Sequence, residues 1–314
     1  MRIIPLYLTY DNEKIQDGVG AQLLRIIGIR AICNYFKLGY IHSGIKKLTI
    51  TQLDPAQSEE EIHSYISYLN GIFKFDSQGI KEFHEVYHIY NLSHRILLTY
   101  GLRAFFFRRT TLLKVVIPFY ITNKNIKIFK SASDLLPRFN SKMFQDKIKL
   151  VIHFRAGADP SHIDTGKTEA RFLPINYFEK LVFQIQKDNP GHEWDICLLT
   201  DAPAEPFYYS PPMDQLEKWE ETGYKIKNGL IEIKALNLSS SNIAEIPGFR
   251  IVHGGDPVEA LKEMASADYL LMSRSTLSFV GALLNQTGLI FYPPRFGSQP
   301  LTGWISGEDY TQKS

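Results

Sequence analysis

Cysteine is nearly absent: the 314 residues hold two, Cys33 and Cys197. Two thiols build no disulfide framework, and without a Cys-x-x-Cys pair they offer neither a metal knuckle nor a redox couple. Both read as small buried apolar residues. Long apolar runs are missing too. The most apolar window, residues 96–121, is broken by Arg103, Arg108, Arg109 and Lys114, so it spans no bilayer unaided. No signal-peptide pattern opens the chain: Met1-Arg2-Ile3-Ile4-Pro5 runs into a strand-like stretch and then into Asp11-Asn12-Glu13-Lys14. A soluble cytoplasmic protein is expected, in which the sequons at Asn91, Asn237 and Asn285 carry no weight. Net charge is only +2, which leaves anionic and neutral ligands open; no nucleic-acid partner is expected. Acid is locally absent, since residues 86–133 contain eight Lys and Arg but no Asp or Glu.

What remains is ordinary globular material, 44% hydrophobic and 22% charged, in which strand-like and helix-like segments alternate. That succession implies an α/β architecture with parallel sheets. Strands are expected at residues 2–9, 48–51, 148–154, 195–200, 250–253, 269–272 and 289–292. Helices are expected at 21–36, 59–75, 174–186, 257–266 and 277–284, and the proline-rich stretch 203–212 reads as a loop. The texture changes at Ile148, which divides the chain into domains 1–147 and 148–314.

Three segments carry candidate chemistry. Asp17-Gly18-Val19-Gly20-Ala21-Gln22 places two glycines between a strand and a helix, where backbone N–H groups can approach an anion. The third small residue of a dinucleotide fingerprint is missing, because Leu23 stands there, so NAD is not expected. His153-Phe154-Arg155-Ala156-Gly157-Ala158-Asp159 closes a buried strand, so these side chains reach the carboxyl edge of a parallel sheet. His153 and Arg155 project to one side, and a guanidinium can hold a pyrophosphate. An ion pair between Arg155 and Asp159 is the plain structural alternative. In the third segment Ser273, Arg274, Ser275, Thr276 and Ser278 surround a turn that opens a helix, a natural phosphate cradle.

These segments, in this order, carry a resemblance. Gly18-x-Gly20-x-Gln22 is similar to the opening segment of α-1,2-fucosyltransferases, and His153-x-Arg155-x-Gly157 resembles the His-x-Arg motif of the wider fucosyltransferase superfamily. Residues 260–285 resemble its C-terminal segment. Ala156 stands where many relatives have a second arginine, and Val280-Gly281 replaces a Trp-Trp pair. The resemblance implies a GT-B fold, two Rossmann-like domains facing each other across a cleft. The N-terminal one would serve the acceptor and the C-terminal one the nucleotide sugar. It further implies an inverting transfer without metal or cofactor, with GDP-fucose as donor and a glycan or other hydroxyl acceptor. Arg155 would hold the β-phosphate, with His153 near the nucleotide and Ser275 and Thr276 on phosphate. Asp256 or Glu259 would approach the base or ribose. UDP-rhamnose or UDP-xylose are alternative donors. The absence of any Asp-x-Asp triplet agrees with charge neutralisation by Arg155 and helix termini. Asp159 is the first candidate for the general base; Asp17, Asp164 and Glu169 are alternatives. The basic stretch 95–130 is expected to combine a solvated face with core aromatics, Phe105-Phe106-Phe107 among them, and in a functional version to receive the acceptor.

Two other classes compete. His84-Glu85-Val86-Tyr87-His88, followed by His94, is a literal His-Glu-x-x-His; on a helix His84 and His88 would share a face and bind zinc, with Glu85 as base. A non-catalytic sugar- or nucleotide-binding module would use the same Arg155 and hydroxyl cluster without turnover.

Overall fold

The structure, a computed structural model, describes residues 5–13, 17–48, 59–77, 82–118, 147–155, 173–209, 226–228, 230–233, 236, 238, 241–294 and 300–312. The chain forms two compact units, Met1–Arg138 and Phe139–Ser314. Both are α/β with a parallel sheet.

In the N-terminal unit, β1 (Leu6–Tyr10) leads into α1 (Val19–Phe36), β2 (Gly39–Tyr40) and α2 (Glu59–Ile72), then β3 (Glu85–Asn91), α3 (His94–Phe107) and β4 (Thr111–Ile117). The sheet order is β2-β1-β4-β3, every pair parallel. All five residues of β1 are buried, the continuous apolar run that a doubly covered parallel strand requires. Of the strand expected at 48–51, Leu48 makes a parallel bridge to Asp17 and residues 49–51 lie outside the described residues, while a strand that was not expected stands at Gly39–Tyr40. Two expectations are corrected here. The His-Glu-x-x-His segment, expected on a helix, is a strand, because Val86, Tyr87, Ile89 and Tyr90 supply β-branched and aromatic side chains that suit the pleat. The aromatics of α3 are not core: the helix buries Leu97 and Ala104, and Phe105, Phe106 and Phe107 are 54%, 73% and 69% exposed.

The C-terminal unit runs β5 (Ile148–Phe154), α4 (Ile175–Asp188), β6 (Trp194–Thr200), β7 (Phe207–Tyr209), β8 (Ile226–Lys227), β9 (Leu230–Ile233), β10 (Phe249–His253), α5 (Pro257–Ala265), β11 (Tyr269–Leu271), α6 (Thr276–Leu284), β12 (Leu289–Tyr292), β13 (Ile305–Ser306) and α7 (Gly307–Gln312). Six strands form one parallel sheet in the order β10-β6-β5-β11-β12-β13. Counted as they enter, this is 3-2-1-4-5-6, the Rossmann order. Strand β5 is central, with Leu150, Val151 and Ile152 fully buried. Helix α4 covers it with Phe178, Leu181, Val182 and Ile185, the i, i+3, i+4, i+7 spacing of one helical face. Each of these side chains contributes about 1.5–3 kcal/mol on leaving water. The stretch 203–212, expected as a loop, contains β7, which pairs antiparallel with β9 in a small separate sheet completed by β8.

Asn285, at the end of α6, pins three elements together. Its Nδ2 donates to the carbonyls of Met264 and Ala267 at 2.9 and 2.8 Å. Its Oδ1 accepts from Thr287 and Gly288 N–H at 3.2 and 2.8 Å. At 7% exposure this sequon asparagine presents no surface for a glycan. Asn285→Ala should lower unfolding free energy by about 2–4 kcal/mol, because several buried polar groups lose partners together. A denaturant titration giving a loss below about 1 kcal/mol would contradict this bonding pattern.

Candidate functional site

In a 3-2-1-4-5-6 sheet the strand order reverses between the first and fourth strands, here β5 and β11, and ligands of such sheets lie beyond the carboxyl ends at that point. His153 stands near the end of β5, Arg155 directly follows it, and Ser273, Arg274, Ser275 and Thr276 follow β11.

His153 is a knot. Its Nδ1 lies 2.8 Å from Ser273 Oγ and 2.5 Å from Ser278 Oγ. The hydroxyl of Ser278 also accepts the Ser273 N–H at 3.1 Å. These bonds join β5, the turn after β11 and the first turn of α6. Burial, followed by the nearby Arg155 charge, pulls the imidazole pKa down to about 3, so it works as a neutral ring. Ser278, grouped by sequence with the phosphate cradle, instead bonds to His153 and to Ser273 N–H.

Arg155 is different. Its side chain is 35% exposed and its Nε sits 3.8 Å from Asp201 Oδ2, at the end of β6. That is an ion pair but too long for a hydrogen bond, and Nε is buried without a hydrogen-bond partner among the described residues. A buried, unsatisfied guanidinium donor is costly unless something else receives it. Asp159 and Gly157 lie outside the described residues, as do Asp164 and Glu169; among the described residues Asp201 is the carboxylate that pairs with Arg155.

Around this edge, Ser275 is the N-cap of α6 and accepts from Leu277 N–H at 3.2 Å. Thr276 is exposed at the first helical position, where a backbone N–H has no intrahelical acceptor. Arg274 turns its Nε to the carbonyl of Pro294 at 2.9 Å. Asp256 caps α5 through Val258 N–H at 2.8 Å, and Glu259 pairs with Lys262 on the surface at 2.6 Å. Between β10 and α5 lie Gly254 and Gly255, with φ of +59° and +93°. A Cβ on Gly254 would meet nothing within 4 Å, so the backbone there opens to solvent or ligand. Beside it His253 Nδ1 donates to Ala202 O at 3.2 Å. His253, Gly254 and Gly255 were not singled out from sequence, though a Gly-Gly pair between strand and helix was the available signal.

The N-terminal glycine segment is tied up internally. Gly18 is the N-cap of α1, its N–H donating to Asp17 Oδ1 at 2.8 Å. Asp17 Oδ2 pairs with Arg25 at 2.7 Å. The buried Gln22 donates to the carbonyls of Asp17 and Lys47 at 2.7 and 2.6 Å, and Gly20 is buried within the helix. A pair that sequence reasoning missed stands nearby: His88 Nδ1 lies 2.6 Å from Asp11 Oδ2. The Asp11 side chain is 2% exposed and that of His88 46%, so a buried carboxylate orients a half-exposed ring.

The zinc reading of His84, Glu85, His88 and His94 is overturned by this geometry. On an extended strand residues four apart are roughly 13 Å apart, too far to share one ion. His84 Nδ1 accepts from Thr110 N–H, Glu85 binds Arg103 and Arg109, His88 binds Asp11, and His94 opens α3.

No family model matches this sequence, and no curated protein matches it. Among solved structures it is similar to the E. coli heptosyltransferase WaaC with ADP, at 9% identity and TM-score 0.39, covering 96% of this chain and 92% of that one. It is also similar to the E. coli ADP-heptose lps heptosyltransferase II, at 11% identity and TM-score 0.37, covering 96% and 88%.

The depressed pKa of His153 fixes a pH dependence. Below its ordinary value of 6.5 the unfolded chain takes up a proton that the folded ring refuses until about pH 3, so stability falls as pH drops through that window. In His153→Gln this contribution disappears. The variant should be less stable than wild type at pH 7.5, and the gap should narrow by roughly 2 kcal/mol at pH 5. A gap independent of pH, measured by denaturant titration, would mean that the imidazole is not held neutral.

Proposed function

We propose that the chain is an inverting, metal-independent glycosyltransferase of the GT-B type that takes its sugar from a nucleoside-diphosphate donor at the C-terminal unit. The observation that carries this reading is the buried Nε of Arg155, which has no hydrogen-bond partner among the described residues, at the switch point of a Rossmann-ordered sheet where α6 follows the neighbouring strand β11. Attack by an acceptor hydroxyl on the anomeric carbon breaks the bond to the β-phosphate oxygen, and negative charge grows on that phosphate. Arg155 and the first N–H groups of α6 would receive it, a preorganised field in place of a metal ion. Ser275 and Thr276 would add hydroxyl donors, while the open backbone at Gly254 and Gly255, with Asp256 and Glu259, would face the base or ribose. His153 holds the turn rather than the substrate.

The acceptor proton needs a base. Asp159 is the first candidate and lies outside the described residues, and Asp17 is engaged by Arg25. The fucosyltransferase resemblance favours GDP-fucose. A UDP-sugar donor is the second reading, favoured by Ala156 after Arg155 and by Val280-Gly281 in place of paired tryptophans.

Thermal shift with GDP, UDP and ADP separates the donors. The cognate diphosphate at a hundred times its dissociation constant should stabilise the protein by about 2.7 kcal/mol. Arg155→Ala should cut transfer by on the order of a few hundredfold without unfolding the protein. Arg155→Lys should recover only part, as an ammonium lacks the guanidinium fork, and Ser275→Ala should cost about fivefold. EDTA should leave activity intact. Normal turnover by Arg155→Ala would remove the reading, and nucleotide binding without any turnover would favour the binding-module alternative.

A further inference from the structure

Helix α3 is unlike the other helices in what it leaves uncovered. Leu98, Leu102, Phe105, Phe106 and Phe107 are 63%, 47%, 54%, 73% and 69% exposed. Residues 98, 102, 105 and 106 follow the i, i+4, i+7, i+8 spacing of a single helical face, and Phe107 extends the patch at the helix end. The opposite side holds the helix to its unit: Leu97 and Ala104 are buried, and Tyr100 packs on Tyr87 with ring centroids 4.6 Å apart. A contiguous apolar patch of this kind on a water-soluble surface marks an interaction site.

Its charge says what it meets. Arg95 lies within the apolar face, and Arg108, in the left-handed conformation that ends the helix, lies at its tip. Neither forms an ion pair among the described residues. Arg103 and Arg109 share the single carboxylate of Glu85, at 3.1 and 2.9 Å. The cluster is therefore three charges positive, and residues 86–133 supply no other acid. A second copy of the chain is a poor occupant, because a two-fold contact would set this cationic patch against itself. At 14 residues, about 21 Å, the helix is too short to cross a hydrocarbon core of about 30 Å.

We infer that α3 docks the protein on the surface of an anionic lipid bilayer, lying in the interface with its leucines and phenylalanines among the acyl chains and its arginines at the headgroups. Aromatic rings joined with basic residues suit that boundary, where one side of the helix is dry and the other wet. This inference does not depend on the transferase reading.

Sedimentation with phosphatidylcholine vesicles, with and without phosphatidylglycerol, tests it. The full chain should bind the phosphatidylglycerol vesicles, and binding should weaken as salt is raised. Phe106→Ser with Phe107→Ser should lower partitioning by about tenfold or more, since both rings leave the acyl region. Arg95→Gln with Arg108→Gln should lower it on the order of thirtyfold. All four side chains are exposed, so melting curves should match wild type. Equal binding to both vesicle types, or binding to neither, would overturn the inference. So would a homodimer in analytical ultracentrifugation that Phe106→Ser dissociates, or a stable complex with an acidic protein that both double variants abolish while vesicle binding persists.

Discussion

One buried imidazole sets the geometry of the C-terminal unit's working edge. His153 is the penultimate residue of the central strand β5, and its contacts with Ser273 and Ser278 cross from that strand to the turn after β11 and to the first turn of α6. An imidazolium there would need a counter-charge that the bonding pattern does not include. Burial settles the matter by keeping the ring neutral. The three groups then bond to one another, and the start of α6 is tied to β5, the strand that neighbours β11 in the sheet. Arg155, the next residue on the same side of β5, inherits that rigidity.

Parallel strands bring the rest of the edge together. Because β10, β6, β5 and β11 all run the same way, their carboxyl ends deliver Gly254, Asp201, Arg155 and Ser275 to one rim although they come from distant parts of the chain. The rim divides its labour. Asp256, Ser275 and Glu259 complete local helix chemistry, whereas the buried Arg155 Nε makes no hydrogen bond among the described residues. In the N-terminal unit a buried carboxylate, Asp11, aligns the half-exposed His88 of β3.

Most of this edge was legible in sequence because the C-terminal strands are short, apolar and separated by amphipathic helices. The strands at 148–154 and 289–292 agree with β5 and β12 to the residue. Legibility failed where local pattern competes with tertiary context. His84-Glu85-Val86-Tyr87-His88 matches a helical motif in letters, but β-formers and the pairing with β4 make it a strand. Phe105-Phe106-Phe107 reads as core by composition, yet α3 turns its small Ala104 inward and those rings outward. The Asp11–His88 pair was invisible because its members are 77 residues apart and no spacing rule joins them. The pairing of Asp17 with Arg25, eight residues on, was likewise not read from sequence.

The arrangement has a single most exposed claim, that Arg155 and the start of α6 form an anion site. A crystal structure grown with a nucleoside diphosphate addresses it directly. The β-phosphate is expected within about 3 Å of the Arg155 guanidinium and of the Thr276 N–H, with the His153–Ser273–Ser278 contacts unchanged. A diphosphate bound elsewhere, with Arg155 drawn onto Asp201 alone, would contradict the assignment and leave Arg155 a structural ion-pair residue.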